Sequence, residues 1–302
     1  MTPPFAHAGE WAAALSSLLW ALGAVVYTRL PLHATPSAIN LGKNLYAALC
    51  FAVLSVATTG SPWPVGLAPE PLLWLVLSGA LGLGVCDSFL LRAFRTIGPR
   101  RVNVVMALSP AVVAAVAFLP PLEERPGVRT LLGVAVAVGG IALAVLESTG
   151  GVDDRSRRAS GTRDAVIGAL LHAVSMVMVR YALRGGEVAV LAAATVRLTA
   201  GAATVAAVGA VRGRLGAWTS AVARPPVLPR LVLAATLGTV LGIGASQAGL
   251  AWARHVGVAA TLNAMTPIYL IPLSALFLGE RVDARAVLST LLAVSGIALM
   301  TT

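Results

Sequence analysis

The sequence predicts an all-α polytopic membrane protein, with ten transmembrane helices arranged as two inverted five-helix repeats. Three observations predict it. The 302 residues are 58% hydrophobic and only 11% charged, whereas a soluble domain has roughly 25% charged residues, so there is too little polar surface to dissolve a globule of this size. Apolar runs of spanning length follow one another along the chain. Landmarks of the first half return in the second at a nearly fixed interval.

A helix satisfies its backbone hydrogen bonds internally, and roughly 17 to 25 residues of it cross the hydrocarbon. The first five runs are 11–28, 37–57, 71–91, 102–119 and 130–146. The opening residues, MTPPFAHAGE, contain no Lys or Arg, so the first run is expected to be retained rather than cleaved as a signal peptide. Residues 148–163, STGGVDDRSRRASGTR, are the longest hydrophilic stretch and read as a polar linker between halves. The second five runs are 165–183, 188–208, 231–251, 256–278 and 286–302. The expected division is a first repeat at 11–147, the linker at 148–163 and a second repeat at 164–302.

In the first half Ser109-Pro110 lies in a run ending near Glu124-Arg125, and the next run closes with Gly140-Ile141-Ala142-Leu143. In the second, Thr266-Pro267 leads to Glu280-Arg281 and then Gly296-Ile297-Ala298-Leu299. The prolines are 157 residues apart, and the Glu-Arg pairs and the Gly-Ile-Ala-Leu runs 156. An odd number of spans per copy inserts tandem copies in opposite senses. Many secondary transporters are built this way, and their pseudo-symmetric halves exchange roles between outward and inward openings.

The net charge is +10. The basic residues lie mainly between apolar runs, so they read as loop and headgroup contacts with membrane lipids, and nucleic acid is not an expected partner. Fifteen arginines fall in loops on the side opposite the termini and five on the terminal side, with Lys43 and Arg197 inside runs. The positive-inside rule then predicts outward-facing termini. Cys50 and Cys86 sit within apolar runs without CxxC spacing, so neither a metal nor a disulfide is expected. Aromatic residues are 5% of the chain, and many helical positions are Ala, Gly or Val, which lets membrane helices approach closely.

These features resemble the drug/metabolite transporter superfamily, specifically the bacterial proteins made of two EamA repeats. The second half is most similar: Ala251-Trp252-Ala253-Arg254, Asn263-Ala264-Met265-Thr266-Pro267, Leu278-Gly279-Glu280-Arg281 and Ser295-Gly296-Ile297. The first half resembles the family through Leu91-Arg92-Ala93-Phe94, Ser109-Pro110 and Glu123-Glu124-Arg125, and departs from it at Pro120-Pro121-Leu122-Glu123, where leucine-glycine is expected. The resemblance spans roughly residues 11 to 300. It implies an exporter or importer of amino acids, nucleotide-related metabolites or other small solutes, commonly coupled to ion gradients, with a cavity between the halves. It also implies cytoplasmic termini, opposite to the arginine count.

Charges in lipid are expensive and normally face a cavity or a partner. Lys43 and Asp87 lie at matching depths of consecutive antiparallel runs, so an ion pair is possible. It reads as a coupling-ion or substrate-carboxylate site, as a static lock between helices, or as snorkelling to headgroups. The resemblance marks Arg197, like Lys43, as a basic position of a repeat's second helix, where it lines a cavity, forms a hydrogen-bond hub, or belongs to a misjudged span end. His172, at the centre of the sixth run, suits proton relay or a simple hydrogen bond. Trp20 and Tyr269 offer stacking or cation–π surface, or fill the core. Asn103 and Asn263, with Ser88, Ser246 and Gln247, suit a polar solute or bonding between helices. Pro110 and Pro267 each remove a helical hydrogen bond and free a carbonyl that can line a cavity. Glu124 and Glu280 read as pins for the short turns.

The expected function is transport of a small polar or amphipathic metabolite by alternating access in a bacterial-type plasma membrane, with ion- or proton-coupled export one form of it, by a monomer without cofactor, metal or catalytic residues. The alternatives are a membrane lipid-modifying enzyme and a structural or sensory membrane protein. His7, His33, His172 and His255 are scattered and no HExxH occurs, against the clustered interfacial acids and histidines such an enzyme requires. A structural or sensory protein would be expected to carry an extramembrane effector domain, and none of the stretches between the ten runs is expected to form one.

Overall fold

Small side chains set how closely these helices pack. The computed structural model describes residues 7–63, 66–109, 112, 127–146, 152–183, 188, 190–252, 262–280 and 282–301. Ala13, Ala21, Ala38, Ala47, Ala137, Ala165, Ala169, Ala173, Ala234 and Ala293 are fully buried, while large side chains such as Leu49, Val53, Leu132 and Leu276 are exposed on helix exteriors. Water would punish that distribution and lipid tails favour it.

Helix α1 is Ala8–Thr28, α2 is Pro36–Thr59 and α3 is Pro69–Ile97. Thr35 caps α2, its hydroxyl accepting from the Ala38 amide at 3.3 Å, and Pro36 occupies the first turn, where its missing N–H costs nothing. A π-helical segment, Gly79–Cys86, widens α3 at its middle. Gly98, at φ 80°, ends α3, and α4 follows directly as Pro99–Met106. Then come α5 (Val128–Leu146), α6 (Val152–Leu183), α7 (Val190–Val211) and the short α8 (Leu215–Ala223). Helix α9 has three consecutive pieces: Leu228–Ala235, a second π segment Thr236–Leu241, and Gly242–Trp252. Helices α10 (Thr266–Leu278) and α11 (Ala284–Thr301) close the chain.

Among the described residues, six helices are long and apolar enough to cross a membrane: Ala8–Thr28, Pro36–Thr59, Pro69–Ile97, Arg155–Leu183, Leu191–Val211 and Leu228–Gly249. Three further predicted runs hold shorter apolar helices, Leu131–Gly140, Thr266–Leu278 and Ala284–Leu299. The tenth, 102–119, lies largely outside the described residues, as do Pro110, Glu124, Arg254 and His255. The polar run expected to be a linker is helical from Val152 onward and continues into α6. Helix α8 was not expected, since nine residues cannot cross a bilayer. Its Trp218 is buried against Ala38, Leu41 and Val205.

The two halves interlock crosswise. Helix α1 packs on α9 and α10, and α6 packs on α3 and α4; α2 pairs with α7, and α5 with α11. The first helix of each half thus lies on the third and fourth of the other, while second meets second and fifth meets fifth. The last pairing repeats atom for atom. A Cβ on Gly140 would stand 2.8 Å from the Ser289 carbonyl oxygen, and one on Gly296 would stand 2.6 Å from the Gly133 carbonyl oxygen. Adding 156 to Gly133 and Gly140 gives Ser289 and Gly296. Residues 133–140 therefore run antiparallel to 289–296 about a local two-fold.

Candidate functional site

Three positions at i, i+3 and i+4 put Asn40, Lys43 and Asn44 on one buried face of α2. That face meets the π segment of α3, whose glycines 79, 82 and 84 tolerate the wide turn. The Asn40 amide donates to the carbonyls of Leu83 and Gly84 at 2.9 and 2.8 Å, and the Asn44 amide to Leu83 at 2.9 Å. Asn40 also donates to Ser88 Oγ at 3.1 Å, and Ser88 Oγ donates to the Gly84 carbonyl at 2.9 Å. The π turn presents these carbonyls to side-chain donors, and the asparagines satisfy them.

Asp87 is the first residue beyond the π segment. Lys43 Nζ lies 2.5 Å from Asp87 Oδ2 and donates to Asn44 Oδ1 at 3.0 Å. The side chains are 6% and 21% exposed, so the pair is largely shielded and its Coulomb energy is far stronger than at a surface.

Arg197 approaches the same segment from α7. The backbone of Arg197 packs directly on Gly79, and its guanidinium donates to Ser175 Oγ on α6 at 3.4 Å. Ser175 Oγ in turn donates to the Ser78 carbonyl at 2.9 Å. His172, one turn before Ser175 on α6, lies within electrostatic reach of both Asp87 and Arg197. The structure thus brings Lys43, Asp87, His172 and Arg197 around one π segment.

The other sequence candidates form a second group on α1, α9 and α10. Trp20 rests on Gly242, where a Cβ would come within 2.6 Å of its indole nitrogen. Asn263 donates to Ser246 Oγ at 3.1 Å, and its buried Oδ1 accepts no hydrogen bond among the described residues. Gln247 is half-buried on the same stretch of α9. Tyr269 packs against the cluster formed by Ala21, Ala24, Val25 and Leu270. Pro267 is buried in the first turn of α10, after a turn at residues 264–265 interrupts the chain's helical path. Asn103 joins neither group, because its amide donates to the Pro99 carbonyl of its own helix at 2.9 Å.

The polar-proline pairs have matching roles. Ser109 Oγ donates to the Ala169 carbonyl at 2.9 Å, and Thr266 Oγ1 donates to the Ser17 carbonyl at 3.2 Å. Each hydroxyl ties the fourth helix of one half to the first helix of the other. Ser17 Oγ returns a bond to the Leu262 carbonyl at 2.8 Å.

One end of the bundle is held by contacts between halves. Arg92 Nε lies 3.1 Å from Asp164 Oδ2, the fully buried Arg100 places Nε 3.8 Å from Glu280 Oε2, and the Arg29 guanidinium stands 5.9 Å from the Phe277 ring centre. Arg95 donates to the Pro31 carbonyl at 3.2 Å at the same end. Glu280, expected as an interface pin for a short turn, reaches across to the other half. Asn40, Asn44 and Ser175 were not singled out in the sequence, although the spacing of Asn40, Lys43 and Asn44 on one helix face was a readable signal. Among the described residues no three His, Cys, Asp or Glu side chains come together as a metal site would require.

The family described as the EamA-like transporter family matches residues 7–146 and again 164–302. A solved structure described only as "Crystal structure of protein" has the same fold, with a TM-score of 0.61 at 17% identity over 97% of this chain and 96% of that one. No curated protein matches.

Proposed function

The chain belongs to the EamA-like transporter family, and we propose that it carries a small polar or amphipathic metabolite across a bacterial-type plasma membrane by alternating access. It is a multi-pass membrane protein of the drug/metabolite transporter type. The observation behind the finer reading is the paired bond of Ser109 to Ala169 and Thr266 to Ser17. Halves that hold each other through equivalent contacts have two nearly isoenergetic ways to sit, and a carrier needs two such states.

In this reading the repeats are residues 11–147 and 164–302, inserted in opposite senses, and they complete ten spans. The substrate path runs between them, past Lys43, Asp87, His172 and Arg197 on one side and Trp20, Gln247, Asn263, Pro267 and Tyr269 on the other. The Arg92–Asp164 and Arg100–Glu280 contacts close one end. Opening that end breaks them, while coupling to an ion gradient drives net flux. The monomer encloses the path alone.

The test is uptake into proteoliposomes. Saturable accumulation of a metabolite, driven by an opposing gradient and absent from empty vesicles, is expected. Non-saturating, gradient-insensitive flux across a broad solute panel would contradict it.

A further inference from the structure

The charges deep in this bundle do not balance. Among the described residues, those within the apolar runs of the sequence and away from helix ends are Lys43, Asp87 and Arg197, two cations and one carboxylate; the buried Asp164, in the polar first part of α6, is taken by Arg92. Lys43 takes the carboxylate. Arg197 keeps a long bond to Ser175, and its buried Nε donates no hydrogen bond among the described residues. A buried guanidinium left this way pays most of its desolvation without the compensation that normally keeps such a group charged in a low-dielectric site.

The repeat shows where the missing charge belongs. Lys43 and Arg197 are each the eighth residue of their helices, Pro36–Thr59 and Val190–Val211. Those helices pack together with Ala47 and Phe51 against Ala194 and Leu198, and Ala38 and Leu41 against Val205, which makes them antiparallel. The third helices correspond as well. Gly82 meets Ser175 as Gly238 meets Gly23, with Gly82 and Gly238 separated by 156 residues. The same step from Asp87 reaches Ile243. Ile243 packs against the cluster of Ala47, Phe51, Ala194 and Leu198, of which Ala194 and Leu198 lie on either side of Arg197 along α7. One half supplies its own counter-ion, and at the corresponding position of the sequence the other half has a hydrocarbon.

We propose that the transported solute bears an anionic group, a carboxylate or a phosphate, which pairs with Arg197 in the way Asp87 pairs with Lys43. This rests on the transport reading and names its substrate class. Arg197 suits the task, because its planar fork matches both groups.

The test uses the full chain in dodecyl maltoside without added lipid, so that no headgroup phosphate competes. Thermal stabilisation is measured with acetate, lactate, succinate and inorganic phosphate, and with the neutral amides of the three acids. At least one of the anions stabilises, and where it is a carboxylate its amide does not. Arg197→Gln weakens that binding by at least about thirtyfold, and Arg197→Lys by less. Ile243→Asp supplies the counter-ion from within, so it removes the anion response while melting no lower than the parent. If that variant does not fold, the Arg197 pair decides alone.

Equal stabilisation by acid and amide, or undiminished anion binding by Arg197→Gln, overturns the proposal. So does occupation by chloride alone with no organic anion or phosphate bound. Saturable uptake confined to neutral or cationic solutes sinks the anion class and leaves the transport reading standing. Anion binding through Arg197 without saturable flux of any solute sinks the transport reading instead.

Discussion

Lys43 reaches Asp87 across two neighbouring helices, Nζ to Oδ2 at 2.5 Å, at the point where the π segment of α3 returns to ordinary helix. Asn44 holds the ammonium from the other side at 3.0 Å. The pair joins helix geometry to function, because the turn that sets Asp87 in place is the one whose carbonyls Asn40 and Asn44 satisfy.

Removing one partner strands the other charge in a low-dielectric site. Lys43→Met or Asp87→Leu alone is expected to lose about 3–5 kcal/mol of stability, and the double substitution to recover most of it while transport stays lost. Melting curves in detergent beside vesicle uptake check this. A double variant no more stable than either single would show that the two residues do not act as a pair.

The hydroxyl ties of Ser109 and Thr266 are equivalent, so their losses should be too. Ser109→Ala and Thr266→Val are each expected to lower stability by about 0.5–1.5 kcal/mol, with the double variant near the sum. Denaturation midpoints that fall for one variant and stay unchanged for the other would break the equivalence.

Close approach of α5 and α11 depends on two glycines. Gly140→Leu and Gly296→Leu are expected to cost about 1–3 kcal/mol each by overpacking, whereas Gly139→Leu, at an exposed position with nothing within 4 Å, should be nearly neutral. Thermal melts of the three variants provide the comparison, and a Gly139 effect as large as the Gly140 effect would contradict it.

Much of the fold was legible because lipid simplifies the rules. Backbone groups must pair internally, so run length alone locates helices such as α1, α2, α7 and α9. The constant interval between Pro110 and Pro267, and between Gly140 and Gly296, exposed the repeat. The break before Thr266 and the first π segment were not legible, since both depend on which carbonyls find side-chain donors in another helix. Depth counting along antiparallel runs is enough to bring Lys43 near Asp87. It cannot bring Arg197 to Ser175, because that contact depends on the rotation of α6 against α7. Asn103 shows the converse: a polar residue in an apolar run whose amide donates to a carbonyl of its own helix.

The contacts at the closed end are expected to act as a latch. Glu280→Gln weakens its hold on Arg100, and amide hydrogen exchange should accelerate in residues 95–101 while staying unchanged in α5. Unaltered exchange in that segment would remove the latch from the mechanism.

The two five-helix units are expected to enter the bilayer in opposite senses. Tags placed before Trp11 and within residues 148–151, read by membrane-impermeant labelling of intact cells, test it most directly. An odd number of spans between them puts the tags on opposite faces. Labelling of both from the same face would contradict the account.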